Sequence, residues 1–142
     1  GSVLNLEGMA HTLSSVSGSG VISNGTLTVT TPLSPGGDGV AGTQAVANVA
    51  LNGTLLIDVA TDGTCDRLAG SGTLSLSGLT LKIADTGLLN RAKTYTIVTC
   101  SGALTGTFIP YNLPDNWHLF YDYTAGTVTL SYVPQGTMIK VR

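Results

Sequence analysis

The dipeptide Gly-Thr recurs along this chain, at Gly25-Thr26, Gly42-Thr43, Gly53-Thr54, Gly63-Thr64, Gly72-Thr73, Gly106-Thr107, Gly126-Thr127 and Gly136-Thr137. Alternating apolar and small polar residues usually follow at once, and several gaps fall near ten or near twenty residues. A turn-then-strand unit of this size cannot bury its own apolar face, so it must stack on a neighbour. The repetition predicts a repetitive β architecture.

The chain has 142 residues, which fits one domain with a real core. It is 42% hydrophobic and only 10% charged, against roughly 25% charge in an ordinary globular domain. Thr, Ser, Asn and Gly must therefore cover the exposed faces. A net charge of -2 and a pI near 5.4 leave no basic surface for a phosphate backbone, so nucleic acid is not expected as a partner. No apolar run approaches the roughly 20 residues of a membrane helix, and no membrane span is expected. The start lacks a basic region followed by an apolar stretch, the mark of a signal peptide. Gly1-Ser2 reads as a cloning scar and the chain as a fragment of a longer protein.

Strand patterns run almost throughout. In Thr26-Leu27-Thr28-Val29-Thr30 a period of two puts Leu27 and Val29 on one face and the threonines on the other. Thr suits the outer face, because its β-branch favours extended backbone while its hydroxyl stays wet. The same pattern predicts strands over Thr54 to Val59, Thr73 to Leu76, Leu79 to Ile83, Tyr95 to Val98, Thr127 to Tyr132 and Thr137 to Val141. Asn24-Gly25, Asn52-Gly53, Asp62-Gly63 and the run Pro35 to Gly39 read as turns, since Gly and Asn tolerate positive φ. Leu88 to Lys93 is the best helical candidate, for about one turn; Gln44 to Leu51 fits a helix or a strand.

All eight aromatic residues, from Tyr95 to Tyr132, lie after residue 94. The earlier two-thirds must fill its interior with Leu, Val, Ile and Ala, as a narrow layered stack requires. An open end of such a stack exposes unpaired backbone and apolar interior. The bulky side chains from Phe108 to Tyr123, with Pro110 and Pro114 interrupting the ladder, are expected to cap that end.

Gly25-Thr-Leu-Thr-Val, Leu33-Ser-Pro-Gly-Gly, Gly53-Thr-Leu-Leu-Ile-Asp-Val, Cys65-Asp-Arg-Leu and Gly72-Thr-Leu-Ser-Leu, in this order, resemble the passenger strand repeats of bacterial autotransporters. Tyr95-Thr-Ile-Val, Leu104-Thr-Gly-Thr-Phe, Leu113-Pro-Asp-Asn-Trp and Val128-Thr-Leu are similar to the closing part of such passengers. The resemblance covers the chain from about Gly18 onward. It implies a right-handed parallel β-solenoid on the bacterial cell surface or outside the cell. The chain lacks the family's membrane barrel translocator. Residues 1–142 are expected to form a single solenoid domain, with small-residue coils over about 1–94 and an aromatic-rich closing region over about 95–142. A β-sandwich is the alternative.

Chemistry is sparse. Cys65 and Cys100, the only cysteines, form either one disulfide across adjacent coils or two separate buried thiols. Neither they nor the two histidines, His11 and His118, match structural zinc spacing, and no metal or cofactor is expected. Asp58, Asp62 and Asp66 could gather calcium oxygens; ordinary strand-end and turn roles explain them with less. Gly36-Gly37-Asp38-Gly39 is similar to one copy of a calcium-binding nonapeptide, without a second copy to complete a site. For glycoside hydrolysis Asp58 could pair with Asp62 or Asp66, yet no aromatic residue lies nearby and Arg67 is the one near cation. No Gly-x-Ser-x-Gly elbow occurs, and enzyme activity is not expected. Asn24 and Asn52 fit glycosylation acceptors but also turn-strand junctions. Trp117, Tyr121 and Tyr123 could form a glycan platform, or fill the cap.

The expected function is a stiff structural or adhesive module, meeting neighbouring coils of its parent protein and a surface glycan or a host or neighbour-cell protein. The alternatives are a carbohydrate-binding β module using the late aromatics, and a self-assembling fibre subunit with an uncapped N-terminal region.

Overall fold

The computed structural model describes residues 3–13, 21–35 and 42–134. Within them the chain is all-β, with one short 3-10 turn and no α-helix. Ten strands form one mixed, open sheet: β1 (Val3–Asn5), β2 (Ala10–Leu13), β3 (Val21–Val29), β4 (Thr43–Ile57), β5 (Arg67–Ile83), β6 (Tyr95–Cys100), β7 (Ala103–Thr105), β8 (Ile109–Pro110), β9 (Trp117–Asp122) and β10 (Thr127–Tyr132).

The two long strands cannot be straight. Fifteen residues in β4 would reach about 50 Å when extended, whereas a chain of this length has a radius of gyration near 15 Å. Burial shows where they bend. In β4 the buried positions are Gln44 and Val46, then Val49 and Leu51, then Leu55 and Ile57. The alternation breaks twice, at Asn48 and at Asn52-Gly53, and each break turns a new stretch of strand inward. Asn48 has φ 55° and Gly53 φ 125°.

The corners recur in register. Asn24 at φ 60°, Asn48 at φ 55° and Gly72 at φ 67° hold equivalent places on successive strands. Val21 pairs with Ala45 and Thr43 with Arg67, both 24 residues on. A Cβ on Gly72 would run into the Asn48 side chain, whose Oδ1 accepts from Thr73 N–H at 3.1 Å. That occupancy and the positive φ together explain the glycine.

Three rows of parallel pairing result. One runs β1-β3-β4-β5-β6 through the early halves of the long strands. A second joins β2, the end of β3, the middles of β4 and β5, and β7. The third links Leu33 to Leu55, then Leu81 and β8. Aliphatic side chains line up inside the rows, as Leu27 with Leu51, Val49 with Leu74 and Leu104, and Ile57 with Ile83. All are buried. Each such side chain stabilises the fold by roughly 1.5–3 kcal/mol.

The last turn of the chain differs. Leu68 pairs with Val98, 30 residues on, and the extra residues make a loop over 84–94 with the 3-10 turn Thr86–Leu88, capped by Asp85 Oδ1 accepting from Gly87 N–H at 3.0 Å. Direction then reverses: β10 is antiparallel to β6, and β9 antiparallel to β10. A register shift between Val128 and Thr129 leaves Ile97 as an extra residue, so Ile97 and Val98 are both buried. Trp117 is 7% exposed and packs between Tyr95, tilted at 6.1 Å, and Tyr132, edge-on at 5.7 Å.

The strands expected between residues 26 and 132 lie in β3, β4, β5, β6 and β10, with Val59 just past β4 in an isolated bridge to Cys65. Gln44 to Leu51 is strand within β4. Leu88 to Lys93 is mostly irregular, its first residue closing the 3-10 turn. The strand proposed for Thr137 to Val141 and the run Gly36 to Gly39 lie outside the described residues.

Candidate functional site

The widest variation between successive levels of the sheet is at the start of the first row, where two loops project side by side. The first, residues 60–64, is closed by Ala60 N–H donating to Thr64 O at 2.9 Å and by Thr64 N–H donating to Asp62 Oδ1 at 3.0 Å. The second is the 84–94 loop. Tyr95 ties them together: its hydroxyl donates to Ala60 O at 2.7 Å and accepts from Asn90 N–H at 2.9 Å. Asn90 Nδ2 donates to Thr61 O at 2.7 Å. Beside these tied loops lies a cleft of about 440 Å³, lined by Thr43, Gly63, Thr64, Arg67, Thr94 and Thr96 among others.

Arg67 begins β5 and is exposed. Its Nε–H donates to Thr96 O at 3.3 Å, and the residue lines the cleft. Cys65 Sγ approaches the same carbonyl at 3.4 Å. Thr96 O thereby fixes both side chains.

The three aspartates have separate jobs. Asp66 is fully buried; its Oδ1 accepts from Gly42 N–H at 2.8 Å and its Oδ2 from Asp58 N–H at 2.9 Å. It clips the start of β4 to the end of β4. Burial pushes its carboxyl up to about 7, partly offset by those two amides and reinforced by the neighbouring Asp58 carboxylate. Asp62 sits exposed in the 60–64 loop, held below the ordinary carboxylate range first by the Thr64 hydroxyl, which donates at 2.7 Å. Among the described residues no group of three acidic, histidine or cysteine side chains is placed to hold a metal ion. Asp66 is closed off from solvent by the backbone it binds, so it cannot reach a sugar with Asp58 as a catalytic pair.

The structure does not bring Cys65 and Cys100 together; both are free thiols. The register explains why they stay separate, the second of the two alternatives. Leu68 lies opposite Val98, which sets Cys65 near Tyr95, five residues short of Cys100 and about 16 Å along a strand. A disulfide needs Cα atoms within about 7 Å. Burial pushes the Cys65 thiol up to about 11, and Cys100 Sγ packs 3.2 Å from where Gly70 would carry a Cβ.

The glycan platform is corrected in part. Trp117 offers no face to a ligand, being packed between Tyr95 and Tyr132. Tyr121 and Tyr123 stack on each other at 5.9 Å; Tyr121 Oη accepts from Phe108 N–H at 3.0 Å and Tyr123 Oη donates to Gly106 O at 2.7 Å. Both hydroxyls anchor the closing region, and Tyr123 remains 45% exposed. His118 is exposed with its ring 6.4 Å from Phe120, and His11 Nε2 lies 3.2 Å from Leu6 O. The turns expected at Asn24-Gly25 and Asn52-Gly53 are bends inside β3 and β4, with Asn24 at φ 60° and Gly53 at φ 125° and with Asn52 Nδ2 donating to Thr28 Oγ1 at 3.4 Å.

Sequence reasoning named Arg67 only as an isolated cation and missed the cleft, because its walls come from segments that only the strand register makes neighbours. Comparisons with known protein families, with curated proteins and with solved structures return no match.

Proposed function

We propose that this chain is a non-enzymatic scaffold, a right-handed parallel β-solenoid whose coils are the successive levels of the sheet and whose C-terminal end is closed by the β9–β10 hairpin. The observation that carries this reading is the stacking of three parallel rows, with a 24-residue offset between β3 and β4 and in the first stretch of β4 with β5, and with matching positive-φ corners at Asn24, Asn48 and Gly72. Parallel crossovers are right-handed in about 98% of cases, which supports the hand. Stacked coils linked by continuous backbone hydrogen bonds resist bending, so the geometry suits a stalk or display module. The passenger-like strand repeats support a place on the bacterial surface or in a secreted protein.

Single-molecule stretching between the two ends tests the mechanical part. A solenoid unravels coil by coil, in steps of about 80 Å for 24 residues at roughly 3.4 Å each. Extension of the whole chain in one event would refute the stacked-coil scaffold.

A further inference from the structure

The chain contains six Lys and Arg residues in all, and four of them lie within the described residues. Two are committed to aromatic rings: Lys82 Nζ lies 5.2 Å from the Tyr111 ring centre and the Arg91 guanidinium 4.6 Å from that of Tyr132. The other two converge. Arg67 lines the cleft beside the tied loops, and Lys93 lays its stem against Gly63 on the rim, with Cδ 3.4 Å from the position of a Cβ there. Lys93 also acts on the Asp62 carboxylate, so in a protein so poor in charge Arg67 is the cation that marks this cleft as suited to an anion.

The remaining lining sets the size and kind of that anion. A volume of about 440 Å³ lies within the roughly 300–1,000 Å³ of small-molecule sites. Thr43, Thr64, Thr94 and Thr96 present hydroxyls that donate or accept. No aromatic residue lines the cleft, so recognition must rest on charge and hydroxyl pairing. The Arg67 side chain is held by its Nε–H on Thr96 O, and a guanidinium fork suits a carboxylate in a two-pronged contact. Asp62, on the same loop as Gly63, adds negative charge at the rim and disfavours a doubly charged anion such as phosphate.

We infer that this cleft binds a uronic acid unit of an acidic polysaccharide, with Arg67 on the sugar carboxylate and Thr43 and Thr96 on the ring hydroxyls. The site is independent of the scaffold reading, because it needs only the local register of residues 42–43, 63–67 and 94–96.

An NMR titration of the full chain tests it, with a galacturonic acid trisaccharide, the neutral glucose trisaccharide of the same length and inorganic phosphate as separate probes. The expected result is saturable shifts of the Gly63, Thr64 and Thr96 amides with the acidic trisaccharide alone. Arg67→Ala should weaken that binding at least about tenfold, the loss typical of a charge-assisted hydrogen bond. Thr43→Phe, on an exposed strand position that tolerates an aromatic residue, should block it while leaving the fold intact. Overturning results are an acidic trisaccharide that shifts nothing in the cleft, shifts unchanged in both variants, or neutral sugar or phosphate binding as tightly.

Discussion

The parallel rows and the closing region solve one problem with different side chains. In the rows, Leu27 lies beside Leu51, Leu55 beside Leu81 and Val49 beside Leu74 at spacings fixed by the backbone, so Leu and Val serve level after level. Beyond β6, no further parallel strand extends the first row among the described residues, and the large side chains of Tyr95, Phe108 and Trp117 are buried where β9 and β10 reverse direction. Repetition makes small residues interchangeable; termination needs particular large ones. Tyr95 belongs to both regions, pairing with Leu130 of β10 while its hydroxyl spans two loops.

The largest expected effect compares the two fillings directly. Trp117→Ala should cost about 3–5 kcal/mol and Leu81→Ala about 2–5 kcal/mol in denaturant unfolding. Hydrogen exchange separates them more sharply: Trp117→Ala should speed exchange in β6 and β10 first, and Leu81→Ala in β4 and β5. Equal acceleration everywhere in both variants would erase the distinction between the regions.

The glycines sharpen the comparison at the level of backbone. Gly126 at φ 73° faces the Cys100 carbonyl, whereas Gly72 at φ 67° faces the movable Asn48 side chain. Both changes to Ala should destabilise by roughly 1–3 kcal/mol, with Gly126→Ala the worse because a strand carbonyl cannot swing aside. A thermal melt of each variant decides the order.

Asp66 gives a pH signature belonging to the rows alone. Its folded value of about 7 stands above the ordinary 3.8, so between these values the folded chain holds a proton that the unfolded chain releases. Its contribution to stability is therefore greatest below about pH 4 and is lost as pH rises through about 7. The melting temperature of the native chain should fall from pH 4.5 to pH 8 by more than that of Asp66→Asn; identical slopes would contradict the burial argument. The smallest effect is expected at Phe120, exposed on the outer face of β9, where Phe120→Ser should change stability by less than about 0.5 kcal/mol.

The all-β class was legible in the chain because period two is strong in segments such as Leu27 to Val29. The corner at Asn48 was not read, although its 24-residue distance from Asn24 and Gly72 was available as a signal. Gly-Thr, the more conspicuous repeat, falls inside β3, β4 and β5 at residues 25, 53 and 72 but at the starts of β4 and β10 at residues 42 and 126, and so blurs the true offset. The cysteine spacing misled for the same reason: 35 residues is close to one level, but the register at that level is 30. The cleft depends on three segments meeting, which no local pattern encodes.

Cross-strand proton contacts measure the central claim most directly, because short Hα–Hα distances arise in antiparallel pairs and not in parallel ones. The account predicts such contacts between β9 and β10 and between β10 and β6, as at Leu119 with Leu130, and none between β4 and β5. Strong Hα–Hα contacts between β4 and β5, as an antiparallel sandwich would give, would contradict it.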